Sequence, residues 1–206
     1  MKNILIIIPF LASISISAQN ISKINSDFEL SDSLTYETEV RIYQGGGITN
    51  YSSLFRMFKD FSENWKAEFY EHYAQVDEKT ALRTEKQTLQ SESEMEFVFL
   101  NLIRSHILDM PNQSEIHWKL VKRGDIRKVK TIYRGEIIEE FEIVSTKISI
   151  LDGEGFIIQV KNRNKSNEFQ FSNPKGYLKH YPEIDELNYM NEILDLIRTE
   201  FHIWEK

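Results

Sequence analysis

The sequence predicts an α+β fold, in which an antiparallel sheet of about 7–9 strands is built from hairpins and two helices pack on one face. Three observations support this prediction. Short runs alternate apolar and polar residues, clusters of turn residues separate these runs, and two longer segments carry apolar residues at helical spacing. No linker of flexible composition interrupts residues 36–206, so we expect a single domain there.

The strand predictions follow the chain in order. Val40 and Ile42 alternate with Glu39 and Arg41, which indicates a first strand. Alternation also predicts a hairpin over 53–60 and 65–73, and a more polar edge strand over 80–89. Further along the chain, the same pattern predicts strands at 116–120, 129–133, 137–144, 148–151, 156–160 and 169–171.

Two helices are predicted, one in the middle of the chain and one at its end. In the first, Phe97 and Leu100 fall near one apolar stripe, and Pro111 ends the helix. The second begins at Pro182, which suits the first turn of a helix. Its predicted apolar face consists of Leu187, Met190, Ile193, Leu194, Ile197 and Phe201.

Residues 1–18 have the three regions of a secretory signal peptide. Lys2 is positively charged, the run from Ile4 to Leu11 is apolar, and Ala18 is a small residue at the expected cleavage point. This run is shorter than the about 20 residues that a membrane-spanning helix needs. We therefore expect cleavage, no stable membrane insertion afterwards, and a periplasmic or secreted protein. A retained anchor or a buried first strand is the alternative.

The segment that follows the signal peptide, residues 19–35, is rich in Ser, Asn and Asp. We expect it to be a loose lead-in that touches the domain only near its end. The whole chain has a formal net charge of −7, which argues against nucleic acid or an anionic membrane as a partner. It contains no cysteine, which excludes disulfides, thiol catalysis and thiolate metal sites.

The triple glycine at 45–47 is the least ordinary local feature. Residues without a Cβ adopt positive φ easily, and their N–H groups can form a concave nest that suits an anion. The predicted ligand-binding residues are Gln44, Gly45, Gly46, Gly47, Thr49 and Asn50. The alternative is a wide turn or a glycine bulge that serves the backbone alone. A Walker phosphate loop is excluded, because no Gly-Lys-Ser/Thr sequence follows.

A second candidate surface is basic and is predicted to lie on a hairpin. It consists of Lys119, Lys122, Arg123, Arg127, Lys128 and Lys130. Such a patch could bind an acidic partner, a lipopolysaccharide phosphate or a nucleic-acid backbone. The alternative is neutralisation by the next predicted strand, since opposite charges pair across neighbouring strands. That strand carries Glu136, Glu139, Glu140 and Glu142.

No residue pattern predicts catalysis or metal binding. The five histidines lack ligand spacing such as His-x-x-x-His, and no Gly-x-Ser-x-Gly nucleophile elbow occurs. We therefore predict no catalytic residue, no metal and no cofactor. A deep pocket lined by His72, His106 or His180 together with carboxylates would favour an enzyme instead.

Together these features predict an exported, non-enzymatic binding protein. Its ligand would be a protein or a small molecule, recognised through a sheet edge or an open sheet face. Two alternatives stay open at this stage. One is a periplasmic hydrolase of unknown class, and the other is an inhibitor or immunity-type protein, which the acidic charge and small size permit.

Overall fold

The computed structural model of the chain describes residues 21–46, 49–78, 80–150 and 153–204. The predicted signal peptide lies outside these ranges. The helices are α1 at 21–27, α2 at Met95–Arg104, α3 at Pro174–His180 and α4 at Asp185–Phe201, with a short 3₁₀ helix at His117–Leu120. None of the described helices is long and apolar enough to cross a membrane.

Ten strands lie in the described ranges. They are β1 Thr38–Gly45, β2 Tyr51–Lys59, β3 Trp65–Tyr73, β4 Arg83–Leu89, β5 Val121–Lys122, β6 Ile126–Tyr133, β7 Glu136–Ile143, β8 Thr146–Lys147, β9 Gly155–Asn162 and β10 Lys165–Ser172. Six of them form an antiparallel main sheet in the order β10-β9-β1-β2-β3-β4. The predicted α+β class and antiparallel sheet are therefore confirmed. The sheet is smaller than the expected 7–9 strands, because β5–β8 and β6–β7 pair separately from it.

The first face of the main sheet carries the larger apolar core. Val40 and Ile42 of β1 and Phe55 of β2 are fully buried there, in one cluster with residues of α2 and α4. Helix α4 supplies a stripe whose members are three or four residues apart, which is the spacing of one helix face. The stripe consists of Leu187, Met190, Leu194, Ile197 and Phe201.

Helix α2 buries a different stripe from the predicted one. Val98, Phe99 and Leu102 face the core, whereas Phe97 and Leu100 are 56% and 55% exposed. The segment is apolar around most of its circumference, so the spacing of apolar residues alone does not define which side packs. Another difference concerns 116–120, where a 3₁₀ helix replaces the predicted strand.

The second face of the main sheet is covered by the N-terminal segment. Ile24 of α1 is buried in a cluster with Tyr43, Leu54 and Tyr70, and Phe28 packs at its border. Residues 21–30 therefore belong to the folded unit, in contrast to the expected loose lead-in. The physical reason is the spacing of Ile21, Ile24 and Phe28. Residues three and seven positions apart share one side of a helix.

A buried ion-pair cluster lies on the same face. Glu39 and Arg41 are fully buried, and Glu39 Oε1 accepts hydrogen bonds from Arg41 Nε and Arg56 Nε, each at 2.8 Å. Glu39 Oε2 accepts the backbone N–H groups of residues 35 and 36, and Arg41 Nη1 donates to Ser31 O at 2.6 Å. The cluster thus attaches the N-terminal segment to β1 and β2.

The β6–β7 hairpin, which we call the arm, projects from the body of the protein. Its turn residues Arg134 and Gly135 have φ values of 53° and 87°, as a tight two-residue hairpin turn requires. Every residue of β7 is exposed. The alternation of side chains places five large apolar residues on one face of the arm, each 68–76% exposed. They are Ile126, Ile132, Ile137, Phe141 and Ile143.

Candidate functional site

A cavity of about 640 Å³, which we call the end cavity, opens where β1 and β9 meet at one end of the main sheet. Its size is typical of sites for small ligands. Phe156 and Phe171 are directly paired across β9 and β10 and form part of its apolar wall. Other parts of the wall come from α1, the 3₁₀ helix, the segment after β8 and α3, through Ile24, Leu120, Ile148 and Tyr177.

The glycine turn forms one side of this cavity. Gln44, Gly45, Gly46, Thr49 and Asn50 line it, while Gly47 lies outside the described residues. The two side-chain amides of this group are also engaged within the fold. Gln44 Oε1 accepts a hydrogen bond from Ser53 Oγ at 3.1 Å, and Asn50 Nδ2 donates to Ala74 O at 3.0 Å.

The two described glycines of this turn differ in what their backbone permits. Gly46 has a φ of +130°, and a Cβ there would lie 2.4 Å from Gly153 O. This close approach explains glycine at that position without a ligand, as the backbone-geometry alternative proposed. Gly45 has ordinary φ, and an added Cβ would meet only Ser52 Cβ, at 3.8 Å. A side chain at 45 would therefore start beside Ser52, another lining residue of the cavity.

A second cavity of about 510 Å³ adjoins the turn on its other side. Arg198 of α4 lines it and is paired with Asp195 at 2.9 Å and with Glu154 at 3.6 Å. These carboxylates neutralise the arginine, so this cavity offers a weaker anion site than its basic lining residues suggest.

A chain of polar groups connects the end cavity with α1. Ser52, a lining residue of the cavity that is only 7% exposed, lies directly opposite His72 on the paired strands β2 and β3. Its Oγ is 3.5 Å from His72 Nδ1, and His72 Nε2 is 2.7 Å from Asp27 Oδ2. Since the Asp27 carboxylate only accepts, a neutral His72 carries its proton on Nε2 and leaves Nδ1 as an acceptor for the Ser52 hydroxyl.

Two ionisable groups at this end of the sheet, Asp27 and Tyr51, have shifted pKa values. Burial opposes ionisation of Asp27, but hydrogen bonds from His72 and Lys23 outweigh it and hold the pKa of this carboxyl below its ordinary value. Burial, reinforced by the charge of Glu71, raises the pKa of Tyr51 to about 12. Tyr51, which lines the cavity, therefore keeps a neutral hydroxyl at physiological pH and donates it to Glu71 Oε1 at 3.2 Å.

The predicted basic patch is largely paired with acidic residues. Lys128 and Lys130 both pair with Glu139 of the neighbouring strand, as the neutralisation alternative expected. The other members lie in separate environments. Lys119 pairs with Glu186 at 2.5 Å, Arg127 pairs with Asp125 at 3.5 Å, Lys122 lies 5.6 Å from the ring centre of Tyr181, and Arg123 lies between β5 and β6.

Several cavity residues were not identified from the sequence. Five further residues line the end cavity: Gln113, Ser114, His117, Lys147 and Gln170. They are distant from residue 45 in the sequence and share no local motif. The sequence offered one indication of this part of the cavity. Gly155 precedes a predicted strand, and it pairs with Gly45 at the cavity.

Neither cavity beside the glycine turn is lined by His72, His106 or His180. Within the described ranges, no group of three or more His, Asp or Glu side chains is arranged to hold a metal ion. Comparison of the chain with protein-family models, with curated proteins and with solved structures found no match.

Proposed function

We propose that the chain is an exported binding protein that takes a small ligand into the end cavity. One observation carries this proposal: the glycine turn and an apolar wall line the same cavity, which has a volume of about 640 Å³. Sites for small molecules typically combine an apolar wall with a few polar groups that orient the ligand. Here Phe156 and Phe171 supply the apolar wall. Hydroxyl and amide side chains such as those of Thr49 and Gln170 supply the polar groups.

A dye titration tests the proposal. The probe is anilinonaphthalene sulfonate, which fluoresces in apolar sites. The key variant is Gly45→Leu, which adds a bulky side chain at the cavity wall beside Ser52. We expect this variant to bind the dye at least about tenfold more weakly, because filling the space costs about 1.4 kcal/mol or more. Gly45→Ala is the matched control, since its Cβ has room and leaves the cavity open.

The exposed arm offers the dye a competing site, so a third variant is needed. Phe141→Ser removes the most exposed aromatic side chain of the arm face. Unchanged dye binding in Phe141→Ser together with weaker binding in Gly45→Leu supports the proposal. Full binding by Gly45→Leu, with loss in Phe141→Ser, would overturn it.

A serine hydrolase is the second candidate, because Ser52, His72 and Asp27 lie in hydrogen-bond sequence beside a cavity. Binding is the preferred function for a geometric reason. The 3.5 Å between Ser52 Oγ and His72 Nδ1 exceeds the about 2.6–3.2 Å expected of an activated nucleophile. A nitrophenyl acetate assay separates the two functions, since only a hydrolase would show turnover that Ser52→Ala abolishes.

A further inference from the structure

The charge of the end cavity differs from that of the chain as a whole. None of its described lining residues is Asp or Glu, although the chain contains 32 acidic residues among 206. With that composition, about four of the 24 lining residues would be acidic by chance. The tyrosine hydroxyl of Tyr51 is neutral as well, so no described lining side chain carries a negative charge at physiological pH.

The cavity wall does contain a cation. Lys147 of β8 lines it and forms no ion pair with any residue in the described ranges. This lysine differs in that respect from Lys119 and Lys128, whose charges are matched by glutamates. His117, on the 3₁₀ helix, is a further basic side chain of the same wall. Among the described lining residues, the basic side chains are therefore Lys147 and His117, within an acidic protein.

We propose that the ligand of the end cavity is a monoanionic amphiphile, an apolar body that carries one negatively charged headgroup. This inference rests on the proposed binding function and specifies its ligand. The apolar body would contact Phe156 and Phe171, and the headgroup would lie toward Lys147. A cationic ligand would leave its charge without a carboxylate partner in the described wall, and a multiply charged anion would find one unpaired lysine.

Three probes of equal length test the charge preference. They are a dansyl-labelled undecanoic acid, the corresponding amide and the corresponding amine, titrated at low ionic strength with fluorescence detection. We expect the acid to bind most tightly and the amine most weakly. Because an exposed ion pair is worth about 0.2–1 kcal/mol, Lys147→Gln should weaken binding of the acid by up to about fivefold and leave the amide unchanged.

The matched control is Lys130→Gln, which removes a lysine from the arm, outside the cavity. It should leave the affinities of all three probes unchanged. Equal binding of acid and amide by the wild type, or an equal loss of both in Lys147→Gln, would overturn the ligand class.

The Gly45→Leu variant separates this inference from the proposed function. If it weakens all three probes and the wild type shows no preference among them, the cavity binds ligands but the charge argument is wrong. If it leaves all three affinities unchanged, the binding function assigned to the cavity is itself wrong.

Discussion

The β9–β10 hairpin and the arm each pair two strands of eight residues, but they lie in opposite environments. Phe156, Ile158 and Phe171 of β9–β10 are at most 2% exposed, because the helices cover that face of the sheet. Ile137 and Phe141 of the arm are at least 70% exposed. Alternation therefore predicts a strand and its two faces, but burial depends on a second layer that the pattern does not reveal.

The same contrast applies to charged residues. Glu39 and Glu139 each pair with two cations, but Glu39 is fully buried with Arg41 and Arg56, whereas the pairs of Glu139 are solvent-exposed. Burial favours the neutral acid at Glu39. The hydrogen bond from Arg56 and the charge of Arg41 outweigh it and hold the pKa of Glu39 below its ordinary value.

The largest expected difference is between Glu39→Gln and Glu139→Gln. Removing the charge of Glu39 leaves the buried guanidinium of Arg41 without its carboxylate partner and leaves Arg56 paired with Glu68 at 3.4 Å, which should lower the free energy of unfolding by about 3–5 kcal/mol. The exposed pairs of Glu139 should contribute less than about 1 kcal/mol. Urea denaturation at neutral pH measures both, and equal effects would contradict the assigned burial.

The pH dependence of the same variants gives an independent check. A carboxyl with a lowered folded pKa stabilises the fold above its unfolded pKa, and this stabilisation is lost as the pH falls through the folded value. The wild type should therefore lose stability as the pH is lowered below about 4.5. Glu39→Gln should lose less over that range, because it has already lost this contribution.

A smaller difference is expected between Ile158→Val and Ile137→Val. The first removes a methylene from the fully buried side chain of Ile158 and should cost about 0.5–1.5 kcal/mol. The second changes a side chain that is 70% exposed on the arm, where the change should stay within about 0.5 kcal/mol. A comparable loss in both variants would indicate that the apolar face of the arm is covered in solution.

The sequence predicted much of the fold where a strong period lies in a single segment. The stripe of α4 and the alternation of β1 are of this kind. The 116–120 segment was misassigned because Ile116 and Leu120 are four positions apart, a spacing that suits a helical turn as well as alternation. The sequence did not predict that α1 packs on the second face of the sheet, because α1 is short and the residues around it are largely polar.

Of the residues that line the end cavity, the sequence predicted only those of the glycine turn. The glycine turn is a local motif, so its residues were identified from the sequence. Phe171 reaches the cavity through the antiparallel order of the main sheet, whereas Lys147 comes from β8, which pairs with β5 outside that sheet. Such a wall depends on long-range pairing and has no local pattern of its own.

The central claim is that ligands bind at the end cavity and not on the arm. Amide chemical-shift mapping during titration with the dansyl-labelled acid tests it most directly, because both regions are observed in one experiment. We expect the shifts to concentrate at 43–46, 49–52, 155–157 and 170–172, with residues 126–143 unaffected. Shifts confined to the arm, with the end of the sheet unchanged, would contradict the account.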